Sequence, residues 1–240
     1  CATAVGGTAM FQSVQKLKQK LVQMAGHLLR VNPKKIEFGD GKFFVKGNRK
    51  KVLPFLEVVQ AIYVAKTLPP NFEPGLDATT FFEPSNFTFP FGAHVCVVEV
   101  DAETGEVRIR RYVAVDDCGN VINPLLVAGQ IHGGITQSIG QALFEEAVYD
   151  ASGQLVTGEL MDYAIPRAAD VPRFENARTV TPSPVNPMGV KGVGEAGTIG
   201  ATPAIVNAVV DALRPLGVRD IPMPLKRERI WALLQERRAS

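Results

Sequence analysis

Cysteine is scarce in this chain: Cys1, Cys96 and Cys118 are the only three in 240 residues. The number is odd and no two are close in sequence. That excludes a disulfide framework and a four-ligand zinc site, and it fits a reducing compartment such as the cytoplasm. The plant-type iron–sulfur spacing C-x4-C-x2-C is absent as well. Histidine is also limited to three. His132 has no second His or Cys at i+4 on its predicted helix, so no metal-ligating residues are assigned. Neither sign of charge dominates, the formal net charge being +2. The basic spots Lys34-Lys35, Arg49-Lys50-Lys51 and Lys226-Arg227-Glu228-Arg229 are short and scattered. They read as solvated faces, and charge gives no nucleic-acid footprint. No stretch reads as apolar and long enough to span a bilayer. No basic region precedes an apolar run at the start, as a signal peptide requires. An initiator Met is missing too: the chain opens Cys1-Ala2-Thr3-Ala4, and a fragment or a processed subunit is expected.

What is present is an ordinary globular composition, 46% apolar and 21% charged. Helical spacing of Phe11, Val14, Leu17, Leu21 and Leu28 predicts a helix over 8–30. Gly39-Asp40-Gly41 between Ile36–Phe38 and Phe43–Val45 predicts a hairpin. Pro54 opens a second predicted helix, to about Lys66. Residues 67–92 hold five prolines and several aromatics. So long an irregular segment is either functional or wraps a partner surface. Ala93–Asp101 and Val107–Asp116 predict a second hairpin through Ala102–Glu106.

Asn123 as N-cap and Pro124 at the first helical position start a helix to about Val148. Ser152–Leu160 reads as hairpin-like, Phe174–Thr181 as a strand, and Asp116, Asp117 and Cys118 as turn chemistry at a strand exit. Thr202 and Pro203 predict the cap and first turn of an apolar helix to Leu213. A last helix follows Pro222 and Pro224, over Leu225–Leu234. With no repeat and no clean linker, residues 1–240 read as one α+β unit of mixed sheets and packed helices.

Two segments carry chemistry. Gly189–Gly200 sets five glycines in twelve residues around one carboxylate, Glu195. Glycine lets the backbone approach a ligand closely. Gly192–Gly197 formally matches G-x-G-x-x-G, but a dinucleotide site needs a strand before it and a helix opening at its third Gly. The preceding segment carries Pro182, Pro184 and Pro187, and the predicted helix opens only at Thr202. A solvent-exposed connector is one alternative, and a catalytic carboxylate is the other. A carboxyl buried among glycine backbone would ionise nearer neutral pH, as a general base requires. The second segment, Gly129-Gln130-Ile131-His132-Gly133-Gly134, lies in a predicted helix. A Gln amide between glycines suits a heterocycle edge; a close crossing of helices through small residues explains the same pattern. His132 reads as a polar surface residue.

In order along the chain, four segments resemble the xanthine oxidase family. They are Asp116-Asp117-Cys118-Gly119-Asn120-Val121-Ile122-Asn123-Pro124, Gly129–Gly134, Gln141-Ala142-Leu143-Phe144-Glu145-Glu146 and Lys191-Gly192-Val193-Gly194-Glu195 with the helix after it. The chain is similar to the C-terminal part of the molybdopterin-binding large subunit in bacterial hydroxylases of the carbon-monoxide-dehydrogenase-like and aldehyde-oxidase-like kinds. The resemblance implies a molybdenum-cofactor-binding domain of α+β type. It implies molybdopterin with molybdenum, as the cytosine dinucleotide, and [2Fe–2S] clusters and FAD on partner chains. Glu195 matches the family's catalytic base, Gln130 a pterin contact, Gly194 a residue close to the metal, and Thr3 a hydroxyl near the cofactor. The implied partners are the N-terminal part of the large subunit, an iron–sulfur subunit and an FAD subunit. The implied reaction is oxidation of a small substrate (an aldehyde, an N-heterocycle or carbon monoxide) with water-derived oxygen, in a cytoplasmic hetero-oligomer. The loop 67–92 supports an alternative, a non-catalytic assembly module.

Overall fold

The computed structural model describes residues 2–238. The chain divides into two compact units, Ala2–Pro84 and the chain from Ser85 onward. That division falls inside the proline- and aromatic-rich segment 67–92.

In the N-terminal unit a π-helical turn, Thr3–Gly7, leads into α1, Thr8–Leu29. Three antiparallel strands follow in order: β1 (Ile36–Gly39), β2 (Lys42–Val45) and β3 (Asn48–Pro54). The first hairpin turns at Asp40 and Gly41, both at positive φ (51° and 68°), as a two-residue hairpin loop demands. Helix α2, Phe55–Tyr63, packs with α1 on β3. Met24, Phe43, Val58 and Ile62 form the buried centre. Sequence reasoning did not find β3. Arg49-Lys50-Lys51 hid it, because an edge strand tolerates charge and gains protection from it. α2 also stops three residues early, at Tyr63.

The C-terminal unit is built on β4 (Phe91–Val100), β5 (Val107–Asp117) and β6 (Phe174–Thr179). β4 and β5 pair antiparallel, and β6 joins β5 in parallel. Helix α3, Pro124–Leu143, lies in the β5–β6 connection. Its N-cap is the one expected: Asn123 Oδ1 accepts from the amides of Leu125 and Leu126 at 3.0 and 3.2 Å. It ends five residues before the expected Val148. The 152–160 hairpin reduces to a single bridge between Tyr149 and Leu155. Helix α4, Ala196–Leu213, packs against α3 and β4, and α5 runs Arg227–Arg238. The α+β class with mixed sheets and packed helices is borne out.

Two corrections concern α4. It opens at Ala196, with Glu195 at the N-cap, and Pro203 sits inside it. An interior proline deletes one backbone hydrogen bond and costs about 3 kcal/mol. Burial of Ile205, Val209 and Leu213, each worth roughly 1.5–3 kcal/mol, outweighs that. The same helix, extended to Leu216, is long and apolar enough to meet the length and composition of a membrane span, at mean hydropathy 1.3. The sequence reading had expected no such stretch. Its buried stripe faces the core of this unit.

Candidate functional site

The glycine loop is stapled to the end of β5. Gly119 and Val190 form an antiparallel bridge. The Lys191 amide donates to the Cys118 carbonyl at 2.8 Å, and the Asn120 amide to the Gly189 carbonyl at 3.0 Å. Buried Asn186 closes the loop on itself: its Nδ2 donates to the Val190 carbonyl, and its Oδ1 accepts from the Val190 amide.

Beneath this lies Asp117, whose side chain is fully buried. Its Oδ1 accepts from Lys191 Nζ at 2.9 Å and from the Gly119 amide at 2.9 Å; its Oδ2 accepts from Thr179 Oγ1 at 3.0 Å. Burial pushes the Asp117 carboxyl up, but hydrogen bonds from Lys191, Gly119, Thr181 and Thr179 outweigh it and hold the group well below the usual carboxylate range. Lys191 also lies over the Phe91 ring, 4.4 Å from its centre. Asp116 and Asp117 are thus the last residues of β5, both buried, and not the turn residues expected. Sequence reasoning missed the Asp117–Lys191 pair. The only signal was a lysine beginning the motif that ends in Glu195, and no local pattern pairs residues so far apart.

From this anchor the chain passes Gly192, Val193 and Gly194 to Glu195, then enters α4. The first turn of α4 is pressed against α3. A Cβ on Gly197 would lie 2.5 Å from the Ile131 carbonyl oxygen, and one on Gly134 would lie 2.9 Å from the Thr198 amide. Only glycine permits that approach. Ser138 Oγ donates to the Thr198 carbonyl at 2.9 Å, and Thr198 Oγ1 to the Gly134 carbonyl at 3.3 Å. Gly134 and Gly197 therefore serve the helix crossing. Gly129 and Gly133 do not: a Cβ on either would meet nothing within 4 Å. They leave an open lane beside the exposed side chain of Gln130. Gln130 reaches the glycine loop: its Oε1 lies 3.9 Å from where a Gly194 Cβ would stand, an ordinary contact distance.

The structure therefore brings Gln130, Gly194 and Glu195 to one end of the α3–α4 pair. Thr3 belongs to the N-terminal unit, on an exposed π-helical turn. The carboxylate buried in glycine backbone is not found, since Glu195 is exposed. His132 is exposed and its ring lies 5.4 Å from that of Phe174.

A molybdopterin cofactor-binding domain profile matches residues 1–172. The chain belongs to the molybdopterin cofactor-binding domain family. It is 40% identical over 235 residues to the carbon monoxide dehydrogenase large chain of Hydrogenophaga pseudoflava, covering 98% of this chain and 29% of that one. It is 37% identical to the nicotine 6-hydroxylase large subunit of Paenarthrobacter nicotinovorans, covering 95% and 28%. Among solved structures it superposes on quinoline 2-oxidoreductase from Pseudomonas putida 86 with a TM-score of 0.90, at 44% identity, covering 98% and 30%. The chain thus spans under a third of the length of these relatives.

The residues present fit part of a molybdopterin site. Two glycines leave space that side chains would fill, and beside them an exposed amide offers two donors and an acceptor. Among the described residues no three His, Cys, Asp or Glu side chains converge to hold a metal ion. A cofactor that brings its own metal ligands suits such a surface.

Proposed function

We propose that this molybdopterin cofactor-binding chain serves as part of the large subunit of a molybdenum hydroxylase, with residues 1–240 acting as its C-terminal cofactor-binding domain. Glu195 is its catalytic base, and Gln130, Gly194 and Thr3 are its cofactor contacts. When bound, molybdopterin with its molybdenum supplies two-electron oxidation of a small substrate with water-derived oxygen. The chain's own residues bind, orient and accept a proton. The Gln130 amide fixes the pterin edge through its N–H donors and its Oε1. Gly194 presents bare backbone to the group. A Glu195 carboxylate oxygen takes the proton released as the water-derived oxygen becomes nucleophilic. The cofactor is proposed to be the cytosine dinucleotide form. The proposed partners are the N-terminal part of the large subunit, an iron–sulfur subunit and an FAD subunit carrying the [2Fe–2S] clusters and FAD. The proposed setting is cytoplasmic; Cys96 and Cys118 are both free thiols.

The observation that carries this reading is that Gln130 and Gly194 meet at the turn that presents Glu195, with open space at Gly129 and Gly133 beside Gln130. Glu195→Gln keeps the shape and removes the base. In the complete enzyme it should lower turnover by about 100-fold or more at unchanged molybdenum content. Near-normal turnover would remove Glu195 from the chemistry. The exposed rings of Phe81, Phe87 and Phe89 favour a second reading, a non-catalytic assembly module, which expects the same variant to be silent.

A further inference from the structure

The first turn of α4 is held on its other side by a buried cluster with no part in the proposed chemistry. His94 on β4 has a side chain 2% exposed. Its Nδ1 lies 2.9 Å from the Tyr112 hydroxyl and its Nε2 lies 3.3 Å from Asp116 Oδ1. Burial, and then the neighbouring Cys96 and Asp116, push the Tyr112 phenol well above its ordinary range. The Tyr112 hydroxyl therefore keeps its proton, and it and the Asp116 carboxylate each pair with one nitrogen of the ring. Both ring nitrogens are satisfied and the ring has one orientation. That ring lies against Gly200: a Cβ there would stand 3.0–3.2 Å from its atoms.

His94, Asp116 and Gly200 border a cavity of about 110 Å³ with Phe91, Ala196 and Ile199. Asp116 Oδ2, buried, has no hydrogen-bond partner among the described residues. The His94 bond is therefore the tie that orients this carboxylate. Glu195 stands one residue before α4 and five before Gly200, so the clamp on Gly200 bears on the turn that presents the base.

We propose that His94, locked by Tyr112 and Asp116, is a positioning residue that fixes the first turn of α4 and hence the placement of Glu195. This rests on Glu195 being the base. A base displaced by about 1 Å loses on the order of 100-fold in rate, without any loss of cofactor or substrate binding.

The test uses the complete enzyme. His94→Leu removes both hydrogen bonds. Gly200→Ala keeps them but presses a methyl onto the ring. Alanine is the better helix former by about 1 kcal/mol, which offsets part of the cost of that contact, so this second variant keeps the test open if His94→Leu does not fold. For each, kcat per bound molybdenum should fall about tenfold to 100-fold with KM unchanged. Amide hydrogen exchange over 195–200 in cofactor-free enzyme should quicken. In Asp116→Asn an amide oxygen replaces Oδ1 opposite Nε2, so both readouts should stay near those of the parent. A variant that loses molybdenum or melts earlier, with kcat per molybdenum and exchange over 195–200 as in the parent, shows a purely structural residue and overturns the proposal. Glu195→Gln separates the two failures. If it abolishes turnover while Gly200→Ala changes neither readout, positioning fails and the function stands. If it leaves turnover intact, the function itself fails.

Discussion

Lys191→Met would leave the Asp117 carboxylate buried and without its cation. Removing one partner of a buried pair costs about 3–5 kcal/mol, more than the intact pair contributes, because the remaining charge keeps its desolvation penalty. The variant should lower the urea midpoint followed through the single tryptophan, Trp231, which lies in the same unit. Asp117 also sets an acid limit. Its folded form stays ionised below the pH at which an unfolded aspartate takes up its proton, about 3.9. Its stabilising contribution is therefore complete above that pH and is lost as acid carries the protein down through the folded value. Asp117→Asn should flatten the acid limb of a stability–pH curve and leave its neutral plateau lower. At this scale the sequence was legible where chemistry is local. Asn123 could be named as a cap because its partners are two and three residues away. Asp117 could not be paired with Lys191, because that contact depends on the fold.

The α3–α4 crossing separates two kinds of glycine in one helix. Gly134→Ala would force a methyl onto the Thr198 amide, and overpacking of this sort costs about 1–3 kcal/mol. Gly133→Ala meets open space and gains helix propensity of up to about 1 kcal/mol. Thermal melts should therefore move in opposite directions, while Gly133→Ala should lower molybdopterin content if the lane holds the pterin. Both glycines look alike in sequence; what distinguishes them is which face of α3 meets α4. The strand pairs β1–β2 and β4–β5 were readable from turn residues and alternating branched side chains. The start of α4 was not. A Thr-Pro pair is a fair N-terminal signal, but packing of Gly197 and Ala201 carried the helix about two turns further back. Tertiary contact overrode propensity there.

Across the whole chain, large apolar side chains stand in the open: Phe81, Phe89, Leu125, Leu126 and Met161 are each at least 65% exposed. Such surfaces mark interaction sites. Expressed without further chains, the protein should bind a hydrophobic dye strongly, and co-expression with the proposed remainder of the large subunit should reduce that signal. A signal unchanged by co-expression would count against that partner. The division near residue 84 separates a lysine-rich unit, with ten of the twelve lysines, from an arginine-rich one, with twelve of the fourteen arginines; that shift went unread because the connecting segment shows neither a charge run nor a glycine–serine tract. The bond between Thr198 and Gly134 spans 64 residues. At a ribosomal rate of about 5–20 residues per second, the bare face of α3 waits roughly 3–13 s for the helix that covers it. During synthesis, then, Gln130 leaves the ribosome well before Glu195. A nascent chain stalled between them carries α3 without the helix that packs on Gly134 and Ser138, and so exposes apolar surface that the finished unit buries.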